Sequence, residues 1–174
     1  MIRAAATSAV IALLTFVEPA QAAEQDYDCD TAAEHFSELK QTLSGSSYEA
    51  SGTITARRMY VGDRYITSAR VSLESADDKN FLSFRLSGSA KANDKTLVAT
   101  LFVRIDGKDA ETPLGPVDLM KPLAFSLRVD PDGRARLSLG EWQRDLKVPL
   151  GSVAIASATC STGEFQFSHL KLGG

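Results

Sequence analysis

The chain holds few of the residues from which catalytic and metal sites are usually built: two cysteines, two histidines and one tryptophan in 174 residues. No G-x-S-x-G elbow, H-E-x-x-H pair or glycine-rich phosphate loop occurs, which removes the common hydrolase, zinc-protease and nucleotide-binding signatures. Neither cysteine lies in a C-x-x-C pair or beside a basic cluster, so a thiol redox enzyme is not expected. The net charge is -3, without the basic excess that marks nucleic-acid binding, and no nucleic-acid partner is expected. Apolar runs are short. None approaches the ~20 residues that cross a bilayer as a helix, so no membrane span is expected. No cofactor or metal site is expected either.

What is present begins with an export signal. Arg3 supplies a positive start, Ala9 to Val17 form a short apolar run, and Ala20-Gln21-Ala22 is an A-x-A cleavage site. Residues 1–22 are therefore read as a signal peptide and 23–174 as a single domain in the periplasm or outside a bacterial cell. In that compartment Cys29 and Cys160 are expected to form a disulfide. Closing so long a loop stabilises the fold by roughly 4–5 kcal/mol in the chain-entropy view.

One helix is expected, over about 31–43. Thr31-Ala32-Ala33-Glu34 has capping-box spacing, Ala32, Phe36, Leu39 and Leu43 fall on one helical face, and Gly45 supplies a stop. Asp26, Asp28 and Asp30 precede it in a D-x-D-x-D row. Thr31 and Ser37 stand where a calcium loop needs Gly and Glu, so the acidic residues are read as favouring the positive end of the helix.

After Gly45 the apolar residues alternate with period two, the mark of half-buried strands. Strands are expected near 48–57, 65–74, 81–89, 96–105, 123–129, 134–139, 146–158 and 164–172. Gly62-Asp63, Asp106-Gly107 and Asp130-Pro131-Asp132-Gly133 supply turns between them. Pro113, Pro116 and Pro122 mark a longer connection between Ile105 and Leu123. The expected fold class is all-β: an antiparallel two-sheet sandwich of jelly-roll kind with one short N-terminal α-helix.

Two segments carry a resemblance. The hairpin from Phe125 to Leu139 and the closing run Gly163 to Leu172 resemble the last hairpin and terminal strand of concanavalin A-like lectin and glucanase domains. The resemblance covers about the last third of the chain and implies a jelly roll with a carbohydrate-binding face. The glucanase pattern E-x-D-x-x-E is absent, since Glu141 is followed by Trp142, Gln143, Arg144 and Asp145. Binding of sugars is thus implied rather than cleavage.

The polar faces of the strands supply the candidate site. Arg70, Arg85, Arg104, Arg128 and Arg136 each occupy an outward position among small hydroxyl residues. On neighbouring strands they would form a band of planar donors for carboxylate or sulfate groups; on separate strands they are ordinary charges of a solvated face. Tyr60 and Tyr65, in the basic and aromatic stretch Arg57 to Tyr65, either grip a ligand or cap the core. Trp142 either stacks on a sugar or anchors the interior. The leading expectation is a non-enzymatic binding module whose partner is an acidic glycan or another envelope component. The alternatives are an assembly factor binding an envelope protein, and a glycan-active hydrolase or lyase whose carboxylates the sequence does not locate.

Overall fold

A computed structural model describes residues 23–88 and 96–174. The expected signal peptide, 1–22, lies outside them. The described residues form ten strands and no helix: β1 (Gln25–Ser44), β2 (Tyr48–Met59), β3 (Ser68–Ser75), β4 (Phe81–Gly88), β5 (Thr96–Ile105), β6 (Lys108–Asp118), β7 (Leu123–Val129), β8 (Arg134–Leu139), β9 (Trp142–Lys147) and β10 (Val153–Gly173). Every pairing is antiparallel, in the order β6-β5-β4-β3-β10-β2-β7-β8-β9, with β1 added to β10.

The long strand β10 turns this ribbon into two layers. Its residues 154–161 pair with β3, while 163–173 pair with β2, so one strand belongs to both layers. The core lies between. Leu82, Phe84 and Leu86 of β4 and Phe125 and Leu127 of β7 are buried there, and the Phe84 and Phe125 rings meet at 5.3 Å. At the far rim the indole of Trp142 packs on Gly115 of β6, where a Cβ would come within 2.9 Å of it, so the two end strands nearly close the sheet.

Three expectations need correction. The segment expected to be a helix over 31–43 is the second half of β1. Leu39 and Leu43 turn inward opposite Ala158 and Ala154, and a period-two reading suits these leucines as well as a helical one. The alanine-rich edge of β10 gains a full ladder by pairing here, which outweighs local helix preference. The capping-box residues instead bulge out between Thr31 and Phe36, where Glu34 takes a φ of 68°. Secondly, the expected connection over 106–122 contains β6. Pro113 and Pro116 are tolerated because β6 pairs on one side only, with β5. Thirdly, the turn expected between 158 and 164 is continuous strand, and the expected strand 146–158 is split between β9 and β10.

The disulfide Cys29–Cys160 is present and buried, with Cα atoms 6.1 Å apart and a sequence separation of 131. It ties β1 to β10 where both strands pass from one layer to the other. Lower on β10 a second bulge, centred on His169 with φ 52°, reverses which residues face inward: Phe165 and Phe167 before it, Leu170 and Leu172 after it. Gly52 faces this bulge. A Cβ there would meet the carbonyl oxygens of Ser168 and His169 at 3.0 and 3.3 Å, so only glycine lets the backbones approach.

Candidate functional site

Outward-facing side chains of β3, β4 and β5 stand in register rows that run across the strands. Arg70 lies directly opposite Arg85, and Arg85 opposite Thr100. The next row reads Ser157, Ser72, Ser83, Phe102, and the one beyond it Glu74, Phe81, Arg104. The larger groups lean over the serines. The guanidinium of Arg85 lies 4.4 Å from the Phe102 ring centroid, and those of Arg70 and Arg104 lie 5.1 and 4.8 Å from that of Phe81. Beneath them Ser83 is fully buried and Ser72 nearly so, its hydroxyl 2.9 Å from that of Ser157.

The electrostatics of these arginines differ. Arg104 donates to Asp78 at 2.8 Å and to Asp109 at 2.7 Å, and these partners raise its pKa. Arg70 and Arg85 have no ion-pair partner among the described residues. Their Nε atoms, and the hydroxyls of Ser83 and Ser87, are buried without a hydrogen bond there. Burial pulls the pKa of Arg70 down; Glu74 opposes this, while Arg85 and Arg104 add like-charge repulsion. Two guanidinium groups held side by side without a direct ion pair are costly unless an anion joins them. Glu74 is pushed upward by burial, then by its hydrogen bond to Asp78, which is pushed downward in turn.

Arg128 and Arg136 lie elsewhere. They face each other across β7 and β8, in the other layer, and each is closed by a cross-strand carboxylate: Glu49 at 2.9 Å and Asp145 at 2.7 Å. With Arg134 and Ser126 they line an open depression of about 460 Å³. The five arginines thus form two clusters on different layers and not one band. The reason is topological: β10 and β2 stand between the groups, and the ribbon folds at β10.

Of the remaining sequence candidates, Tyr60 and Trp142 have structural partners. Tyr60 donates to Glu164 at 2.5 Å, a carboxylate that also pairs with Arg58 at 3.1 Å, and the Glu164 bond raises the phenol's pKa. Tyr65 is exposed in the β2–β3 loop, and Trp142 is half-buried against Gly115. Among the acidic residues before the expected helix, Asp26 accepts the backbone N–H of His169 and Asp28 pairs with Arg57. One residue was missed. Phe36, expected on the core side of a helix, is 69% exposed and stands opposite Ser161, on the arginine-bearing face. No sequence signal places it there, because its orientation follows from the bulge before it.

No family model and no curated protein sequence matches the chain. Solved structures do. The carbohydrate-binding module CBM66 from Bacillus subtilis aligns over 90% of this chain and 92% of its own at 14% identity, with a TM-score of 0.50. An alginate lyase from Pseudomonas aeruginosa aligns over 78% of this chain and 72% of its own at 15% identity and TM-score 0.58. A further alginate lyase, of polysaccharide lyase family 7, aligns over 84% and 76% at 12% identity and TM-score 0.51. These are jelly-roll, concanavalin A-like folds, so the resemblance seen in the last third of the sequence extends to the architecture of the chain. At such identities the likeness is one of fold alone.

Proposed function

We propose that the chain is an exported, non-enzymatic module that binds an acidic polysaccharide of the cell envelope on the outer face of β3–β5. The observation that carries this reading is the pair Arg70 and Arg85: side by side in register, partly buried, lying over aromatic rings and without an ion-pair partner among the described residues. Planar guanidinium groups held over aromatic rings in this way present paired donors to a carboxylate or sulfate. Serine and threonine hydroxyls around them suit sugar hydroxyls. Sugar-binding and sugar-cleaving proteins among the structural neighbours support a glycan as the ligand class. The A-x-A segment and a buried disulfide support a periplasmic or extracellular location.

The test is affinity electrophoresis of the 23–174 protein through gels containing polygalacturonate, heparin or a neutral glucan. Retention is expected in an acidic gel only. Arg70→Ala with Arg85→Ala should lower it about tenfold or more, whereas Arg128→Ala with Arg136→Ala should leave it within about twofold. Equal retention of the wild type and the Arg70/Arg85 variant would remove the proposal.

A further inference from the structure

The register places a second row beside the arginines, one step along the strands. Phe36 of β1 faces Ser161 of β10, Ser161 faces Ser68 of β3, Ser68 faces Ser87 of β4, and Ser87 faces Val98 of β5. Ser161 and Ser68 share a hydrogen bond at 3.2 Å, and the Ser87 hydroxyl has no partner among the described residues. Both ends of the row are apolar and exposed, Phe36 at 69% and Val98 at 49%. Five strands at ~4.8 Å spacing make it about 19 Å long. Thr159, Arg70, Arg85 and Thr100 run parallel to it, two residues or ~7 Å along each strand.

Phe36 is presented, not merely left outside. The bulge that aims it is tied down from several sides. Glu34 accepts the backbone N–H of Arg64 at 3.0 and 3.1 Å, its own N–H donates to Thr162 at 3.3 Å, and the Cys29–Cys160 bridge joins the strands beneath. The neighbouring Ser161 hydroxyl donates to the carbonyl of Ile66 at 3.0 Å, which holds the β2–β3 loop at the same end. An aromatic ring this exposed offers an apolar face on which a sugar ring can stack.

We infer that the polysaccharide lies across the strands along this row as an extended segment, with Phe36 a stacking platform at its far end. This rests on the reading of Arg70 and Arg85 above. A track with hydroxyls along its floor, cations along one flank and an aromatic at one end matches the alternating polar edges and apolar faces of successive sugar rings. A single sugar at the arginines would leave most of the row empty. The ligand is therefore recognised along its chain, not by its terminus.

The test is calorimetric titration with size-fractionated oligogalacturonates and heparin oligosaccharides as the carboxylate and sulfate probes. Affinity for the better probe is expected to rise with length beyond the disaccharide and then level off. Phe36→Ala should cost about three- to tenfold on the longest fragments and nothing on the disaccharide, and Phe36→Tyr should restore the loss. If length has no effect, or Phe36→Ala binds every length like wild type, the crosswise track is wrong while the arginine site stands. If neither probe binds the wild type, both fall. Melting curves of the Phe36 variants separate a lost contact from a lost fold.

Discussion

Both layers carry two arginines facing each other across adjacent strands, yet the pairs are in opposite states. On β7–β8, Arg128 and Arg136 each meet a carboxylate on the next strand, Glu49 and Asp145. On β3–β4, the corresponding next-strand positions beside Arg70 and Arg85 hold Thr159 and Thr100. One face is closed by its own ion pairs, and the other keeps two cations over phenylalanine rings with no ion pair among the described residues and only Glu74 acting on Arg70 from the same strand. The difference shows that it is the residue one strand away, and not the arginine itself, that decides whether a guanidinium is available to a ligand.

The largest expected effect concerns the crossing that both layers share. Replacing Cys29 and Cys160 by serine removes the tie at the point where β1 and β10 change layer, and should cost about 3–5 kcal/mol of unfolding free energy in chemical denaturation. A loss below about 1 kcal/mol would mean that the packed core alone holds the layers together.

Next in size is a change that makes the open face resemble the closed one. Thr100→Glu puts a carboxylate opposite Arg85, as Glu49 stands opposite Arg128. It should lower retention on acidic polymers about tenfold with little change in stability, since an exposed cross-strand ion pair contributes ~0.2–1 kcal/mol. Retention equal to wild type would show that Arg85 is not a contact.

The smallest effect is one of pH. Glu74 acts on Arg70 as an internal counter-ion, and Asp78, Arg104 and Lys40 also bear on it. Burial raises its pKa above 4.5. As pH rises through that raised value Glu74 becomes a carboxylate and competes for Arg70, so retention on heparin, whose sulfates stay charged, should fall about two- to threefold. Glu74→Gln should flatten the profile. The same shift means that the fold binds the proton more tightly than the unfolded chain, so the stability Glu74 contributes is present at low pH and declines as pH rises. A heparin profile identical in wild type and Glu74→Gln would detach Glu74 from the site.

Much of the framework was legible along the chain because strand chemistry is local. The alternation from Tyr48 onward marked β2 to β5, β7 and β8 nearly to their ends, and Asp130-Pro131-Asp132-Gly133 is a turn in which Gly133 takes φ 77° and its N–H bonds to Asp130 at 2.9 Å. Where the reading failed, a distant partner outweighed a local signal. The capping-box spacing at Thr31 is real, but β10 supplies a ladder a helix cannot use. The prolines of β6 break strands in general and are harmless at an edge. Phe36 and Trp142 had no orientation until a bulge and a glycine were placed beside them.

The sequence by itself determined that this is an antiparallel β protein with an outward arginine on each of five strands and a cysteine pair suited to a bridge. Those features depend on alternation, turn chemistry and composition, which act over a few residues. Only the tertiary structure decided which arginines are neighbours, which are neutralised and where Phe36 points. Cross-strand register joins residues far apart in sequence, and a carboxylate one strand away is invisible until the strands are laid side by side.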